Sequence, residues 1–265
     1  MELTRICALL ARAGINTDHL NDAAVANGGA STDVFEHGVA VLRRLDLTER
    51  QRALLFTPDE EHIESDLRWL GKSGATLLAF GSPGYPAMLA RIRRAPAALY
   101  VLGDPAVLDD PQLAIVGSRK PTPAGRQNAH DFAEAFARVG LTVTSGLALG
   151  IDGASHEGAL DGGGPTVAVC GNGLDIVYPR EHRALAARIR ERGALVSEFA
   201  PGTEPLGEHF PPAQSHPERP RPRHARRRSG VAQRLAQHRE LRARAGPRGV
   251  RDPGLHPQSR RARLP

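Results

Sequence analysis

Between Leu113 and Pro179 the chain places glycines, small hydroxyl residues and cations at the ends of three apolar runs. Gly117-Ser118-Arg119 follows Leu113–Val116, Ser145-Gly146 and then Gly150 follow Leu141–Thr144, and Gly171 follows Thr166–Cys170. Glycine lets the backbone turn sharply and approach a ligand closely, and a helix beginning just after such a turn offers unpaired N–H groups to an anion. The chemistry this supports is phosphate binding. Backbone donors would come from Gly117, Ser118, Ser145, Gly146 and Gly150. The Arg119 guanidinium can grip a phosphate with two N–H groups and stack on a base. Arg180, just after Tyr178-Pro179, is a second candidate cation.

Asp152 and His156 are four residues apart, which puts both on one face of a helix. An acid–base pair needs a substrate-facing cleft and a nucleophile, and no metal triad accompanies these two. They are expected to act as a helix N-cap and a packed histidine, and Glu198 is expected to be structural. No catalytic residue, metal or cofactor is implied. Cys7 and Cys170 fit no metal spacing and read as free thiols of a reducing cytosol.

The elements that must position these residues alternate strand and helix. Strands are expected at Leu113–Val116, Leu141–Thr144, Thr166–Cys170 and Ala194–Phe199, as continuous apolar runs suited to parallel strands buried on both faces. Pro123 suits the first turn of a helix whose stripe would be Phe132, Ala133, Phe136 and Val139. Two earlier runs, Thr76–Phe80 and Ala97–Leu102, bracket a helix after Tyr85-Pro86 and are expected to add strands to the sheet. Residues 1–70 read as short helices separated by turn signals at Asn27-Gly28-Gly29 and Thr57-Pro58. The fold class is α/β, a Rossmann-like parallel sheet preceded by a small helical domain.

The strings VGSR (Val116–Arg119), SGLALGID (Ser145–Asp152) with His156, GLDIVYP (Gly173–Pro179), SEF (Ser197–Phe199) and HFP (His209–Pro211) resemble the DprA family of DNA-processing proteins. The resemblance reaches back to Leu77, with Ser82 where the family usually has Asp, and ends at Pro212. It implies a sterile-alpha-motif-like domain over 1–70 and a Rossmann-like core over 71–212. It also implies a single-stranded-DNA pocket containing Arg119, with Arg180 as a further strand contact. The implied function is non-enzymatic: coating incoming single strands in natural transformation, protecting them from nucleases and loading the RecA recombinase, as a homodimer in the intact family member.

Composition hides a boundary. The net charge of +6 and pI near 10.1 would suggest a polyanion partner, yet residues 212–265 hold fifteen arginines and three acids, leaving the first 211 residues at −6. After Pro212 the residues Ile, Phe, Tyr, Trp, Met and Cys vanish and no periodicity survives. Such a segment can be a natural basic arm. The genetic code supports a sharper reading. The codons permitted for Ala213–Arg219, shifted by one nucleotide, allow Arg-Asn-Arg-Ile-Leu-Ser-Gly, the family's next motif, and the same shifted frame allows LVVEA and VFAIPG. Residues 213–265 are therefore read as an out-of-frame tail, irregular or a loosely attached helix. The sheet is read as incomplete at its C-terminal end, with Ala194–Phe199 left as an uncovered edge.

No apolar run is long enough to cross a bilayer and the first residues lack signal-peptide features, so a cytoplasmic protein with no membrane partner is expected. The competing function is a related nucleotide-binding enzyme that hydrolyses nucleoside monophosphates. Its PGGxGT-type motif is matched only by Gly162-Gly163-Gly164-Pro165, which is misplaced. A dinucleotide oxidoreductase would need the spaced glycines of GxGxxG, which VGSRKP lacks.

Overall fold

The computed structural model describes residues 2–206. His209–Pro211, Pro212 and the arginine-rich segment lie outside the described residues. Five helices come first: α1 (Glu2–Arg12), α2 (Thr17–Asn27), α3 (Asp33–His37), α4 (Glu49–Phe56) and α5 (Glu60–Ser73). Local signals explain their ends. Asn16 and Thr48 each cap a helix with the side chain and donate the backbone N–H in return to the side chains of His19 and Gln51, and α2 stops at Gly28 in the left-handed region (φ 69°). The pattern Val34–Leu45 forms α3 and a 3-10 turn over Val39–Leu42, because Gly38 (φ 75°) interrupts it.

The remainder is a sheet with helices in its crossovers. It comprises β1 (Thr76–Ala79), α6 (Ala87–Ala90), β2 (Ala98–Gly103), β3 (Gln112–Ala114), α7 (Pro123–Arg138), β4 (Thr142–Ser145), α8 (Ile151–Asp161), β5 (Thr166–Val169), α9 (Arg183–Arg192) and β6 (Ala194–Ser197). The strand order is β1-β2-β6-β5-β4-β3. The four strands β3 to β6 are parallel, as their continuous apolar runs require, whereas β2 joins β6 and β1 joins β2 antiparallel. Successive side chains split between the faces. Val167, Val169 and Val196 pack with Leu89, Leu99 and Val101, while Ala168 and Leu195 pack with Leu70, Leu185 and Ile189.

Two expectations are corrected. First, β6 is internal: β2 covers its far side with Tyr100 opposite Ser197 and Gly103 opposite Ala194, and all four of its residues are buried. The edges of the sheet are β1 and β3; β3 pairs only with β4 among the described residues, and Val116 just beyond it is 56 % exposed. Second, the buried face of α7 consists of Gly125, Ala129, Ala133 and Ala137, while Phe132 is 52 % exposed. The reason is the close approach of α8. A Cβ on Gly158 would lie 2.1 Å from the His130 carbonyl oxygen, so only small residues fit between the two helices.

The helical part is tied to the sheet by backbone and charge. Thr17 N–H donates to the Ala95 carbonyl (2.8 Å) and Ala97 N–H to that of Ile15 (3.0 Å). Arg12 holds the buried Asp66 carboxylate with two bonds of 2.6 Å. Cys7, buried against Ala79 and Ala98, has its thiol pushed up to about 12 by burial and is unreactive as a nucleophile. No helix among the described residues is long and apolar enough to cross a membrane.

Candidate nucleic-acid interface

The glycine-bearing turns lie at the C-terminal ends of β3, β4 and β5, where open α/β sheets hold their ligands. The first turn runs Gly117-Ser118-Arg119-Lys120, and all four residues are exposed. Lys120 N–H donates to Ser118 Oγ at 3.0 Å, which curls the turn, and Ile151 N–H donates to the Ser118 carbonyl oxygen at 3.1 Å, which anchors it to the start of α8. Gly150 makes that approach feasible. It has φ +89°, and a Cβ there would meet the Ser118 carbonyl oxygen at 2.4 Å. A Cβ on Gly117 would meet Ile151 at 2.6 Å. Both glycines are thus required by contact between two turns of the protein itself.

Ser145, at the end of β4, is buried, and its hydroxyl donates to the Ile115 carbonyl oxygen at 2.6 Å. Leu147 has φ 59°, an unfavourable region for a branched residue, and is held there by burial among Leu174, Leu185 and Ala186. The expectation that Asp152 caps α8 is corrected. The cap position is Gly150, and Asp152 lies inside the first turn with its carboxylate directed back toward the loop. Burial pushes the Asp152 carboxyl up to about 6, opposed by hydrogen bonds from the Ala148, Gly117 and Gly146 backbone N–H groups and by the adjacent Ser145 hydroxyl. The Ala148 bond measures 3.4 Å, and a Cβ on Gly146 would lie 2.8 Å from Asp152 Oδ2.

His156 is fully buried, as its packed reading requires. Thr166 Oγ1 donates to the Val143 carbonyl oxygen at 2.7 Å, so it accepts the proton of His156 Nδ1, also at 2.7 Å. Burial, with a smaller contribution from His182, lowers the His156 pKa to about 3 and keeps the ring neutral. His182 fastens the third segment: its Nδ1–H donates to the Leu147 carbonyl oxygen at 2.8 Å. Arg180 is exposed, two residues before His182 and just after the cis Tyr178–Pro179 bond.

The arrangement brings the expected residues together in two layers. Gly117, Ser118 and Arg119 form an exposed rim on one side of the 146–153 turn, joined by Lys120, which the sequence reading did not single out. Arg180 is exposed two residues before His182, which is bonded to the Leu147 carbonyl oxygen of that turn. Ser145, Gly146 and Gly150 form the layer beneath, where their polar groups and backbone meet other parts of the protein. His182 lies outside every string quoted above, and Leu147 lies within Ser145–Asp152, where its type alone gives no sign of the left-handed backbone it adopts. The grouping on α7 with metal-ligand reach, His130, Asp131 and Glu134, is taken up in ion pairs: His130 with Asp161 at 3.0 Å and Glu134 with Arg138.

Comparison with known proteins accounts for the arrangement. The chain is 42 % identical over 172 residues to Protein Smf of Escherichia coli K12, covering 64 % of this chain and 46 % of that protein. It is 39 % identical over 127 residues to the DNA processing protein DprA of Streptococcus pneumoniae R6, covering 48 % and 45 % respectively. The X-ray structure of DNA processing protein A from Streptococcus pneumoniae superposes with a TM-score of 0.62 at 27 % identity, covering 76 % of this chain and 69 % of that one. The chain spans about half the length of the curated relatives it matches. Residues 76–213, just over half of the 265, match the model of the DNA recombination-mediator protein A family, and the chain belongs to that family.

Proposed function

We propose that this fold is a non-enzymatic module for binding single-stranded DNA, in which Arg119 with Lys120 on one side of the 146–153 turn and Arg180 on the other neutralise successive backbone phosphates. The observation that carries this reading is the exposed Ser118–Lys120 turn, fixed to α8 by the Ser118–Ile151 hydrogen bond at the ligand-binding end of the sheet. A strand of phosphates can be gripped from outside by such a rim, and a guanidinium can stack on an unpaired base. Neutralisation of backbone phosphates makes the affinity fall with salt and leaves it indifferent to sequence. The alternative, hydrolysis of nucleoside monophosphates, would need Asp152 and His156 to reach a substrate, and both are buried.

In the cell the module would protect single strands taken up in natural transformation and hand them to the RecA recombinase from the cytoplasm, acting as a homodimer when intact. The family's description as a recombination mediator supports this role. Residues beyond Pro212 are best accounted for as a frame-shifted reading. The strand order β3-β4-β5-β6 runs in one direction, and a doubly wound sheet reverses at its first strand, so the encoded LVVEA and VFAIPG strands belong beside β3. The exposed Val116 and Phe132 would then be covered. The test is to restore the frame by removing one nucleotide near the Pro212 codon and compare a single-stranded oligonucleotide with a duplex of equal length. Preferential, salt-sensitive binding of the single strand is expected, and equal binding of both forms would overturn the reading.

A further inference from the structure

The loops that would ordinarily hold a nucleotide phosphate are already occupied by part of the protein. At the N-terminal end of α8 one oxygen meets the turn after β4 directly: Ala148 N–H donates to Asp152 Oδ2 at 3.4 Å, and a Cβ on Gly146 would lie 2.8 Å from the same oxygen, while the Gly117 N–H of the turn after β3 favours the charged carboxylate. Asp152 is 8 % exposed. The surrounding space is filled as well. An added methyl group would come within 2.8 Å of Asp152 Oδ2 at Gly146, 2.6 Å of Ile151 at Gly117 and 2.4 Å of the Ser118 carbonyl oxygen at Gly150. A phosphate is larger than a methyl group and carries the same sign of charge as the carboxylate.

We infer that Asp152 is the specificity-determining residue of this sheet end: its carboxylate takes the place of a bound phosphate, excludes mononucleotides, and restricts ligands to polyanions held from outside by the rim. Like charges in a site of low dielectric repel strongly, and donors already bonded to a carboxylate cannot bond a second anion without breaking those bonds. The layers are joined next to this carboxylate: Ile151, the residue before Asp152, donates its N–H to the Ser118 carbonyl oxygen of the turn that carries Arg119, at 3.1 Å. The choice of a DNA strand as the polyanion rests on the proposed function, but the exclusion of phosphate from the inner layer does not.

The experiment therefore uses phosphate and no DNA. The 265-residue chain and its Asp152→Ser variant are compared by equilibrium dialysis with inorganic phosphate and with AMP; the arginine-rich tail is common to both, so its contribution cancels. Asp152→Ser removes the charge and opens the space, and it is expected to gain a saturable phosphate site at least tenfold tighter than any in the parent. Equal, saturable binding by both chains, or no gain in a variant whose circular dichroism matches the parent, would overturn the inference. Should the variant fail to fold, hydrogen exchange on the parent chain decides: the Gly117, Gly146 and Ala148 amides should exchange at the same rate with and without phosphate, and added protection by phosphate would count against it. The phosphate readout involves no DNA, so failure of the DNA reading and failure of this one give different outcomes.

Discussion

The Ser118 carbonyl oxygen accepts a hydrogen bond from Ile151 N–H at 3.1 Å, and Gly150 between the two strands of chain has φ +89° and no room for a Cβ. The turn that presents Arg119 is therefore fixed by backbone contact with the start of α8. Gly150→Ala places a methyl group 2.4 Å from the Ser118 oxygen in a backbone region costly to any side chain. It is expected to cost about 2 kcal/mol or more and to weaken DNA binding together with Arg119→Ala. Urea unfolding and DNA titration on the frame-restored protein check both.

Asp152 makes stability depend on pH in a specific window. Its carboxyl is raised from 3.8 to about 6, so the folded state binds a proton that the unfolded state has lost between those values. Stability from this group is greatest below about 4, falls as pH rises to about 6, and is level above. The difference is on the order of 3 kcal/mol. Measured against Asp152→Asn, which cannot titrate, the parent should lose that amount between pH 4 and 7; parallel curves would contradict the assignment.

His156→Ala removes a fully buried ring and leaves the Thr166 hydroxyl without its donor. The loss should be about 3 kcal/mol in thermal or urea unfolding. Asp152 and His156 are both buried, so no hydrolysis of nucleoside monophosphates should appear or disappear with either substitution in a direct assay.

Gly158→Ala would press a methyl group to 2.1 Å from the His130 carbonyl oxygen and force α7 away from α8. About 2 kcal/mol or more is expected from overpacking. Unfolding midpoints of the variant and the parent, compared at constant denaturant slope, measure it.

The chain as it stands, with β3 as an open edge and Val116 and Phe132 exposed beside it, should be poorly soluble. Any DNA it binds should be held by the charge of the arginine-rich tail, without preference for single strands, and removing residues 213–265 should abolish that binding. It should also be inactive in loading recombinase until the frame is restored.

The sheet was legible because its signal is local: continuous apolar runs at β4, β5 and β6 end at glycine turns, and each run became a parallel strand. The exposed rim was legible for a similar reason, since Gly117-Ser118-Arg119 directly follows a strand. Strand neighbours were not legible. Pairing of β2 with β6 joins residues almost a hundred positions apart, and nothing local at Ala194 signals Gly103 as its partner. The apolar stripe of α7 misled because Phe132 and Val139 outweigh alanines in hydrophobicity, while the close approach of Gly158 admits only the alanines. Asp152 looked like a cap because it follows a turn; that its carboxylate points back into the loop depends on Gly146 and Ala148 lying against it in three dimensions.

The proposed function stands on Arg119 holding DNA at the rim. The most direct measurement is the salt dependence of single-stranded oligonucleotide affinity for the frame-restored protein and its Arg119→Ala variant, read by fluorescence anisotropy. The variant is expected to bind more weakly at every salt concentration, with a slope of log K against log salt reduced by about 0.7, one phosphate contact on a single strand. Identical affinities and slopes for the two proteins, with both folded, would contradict it.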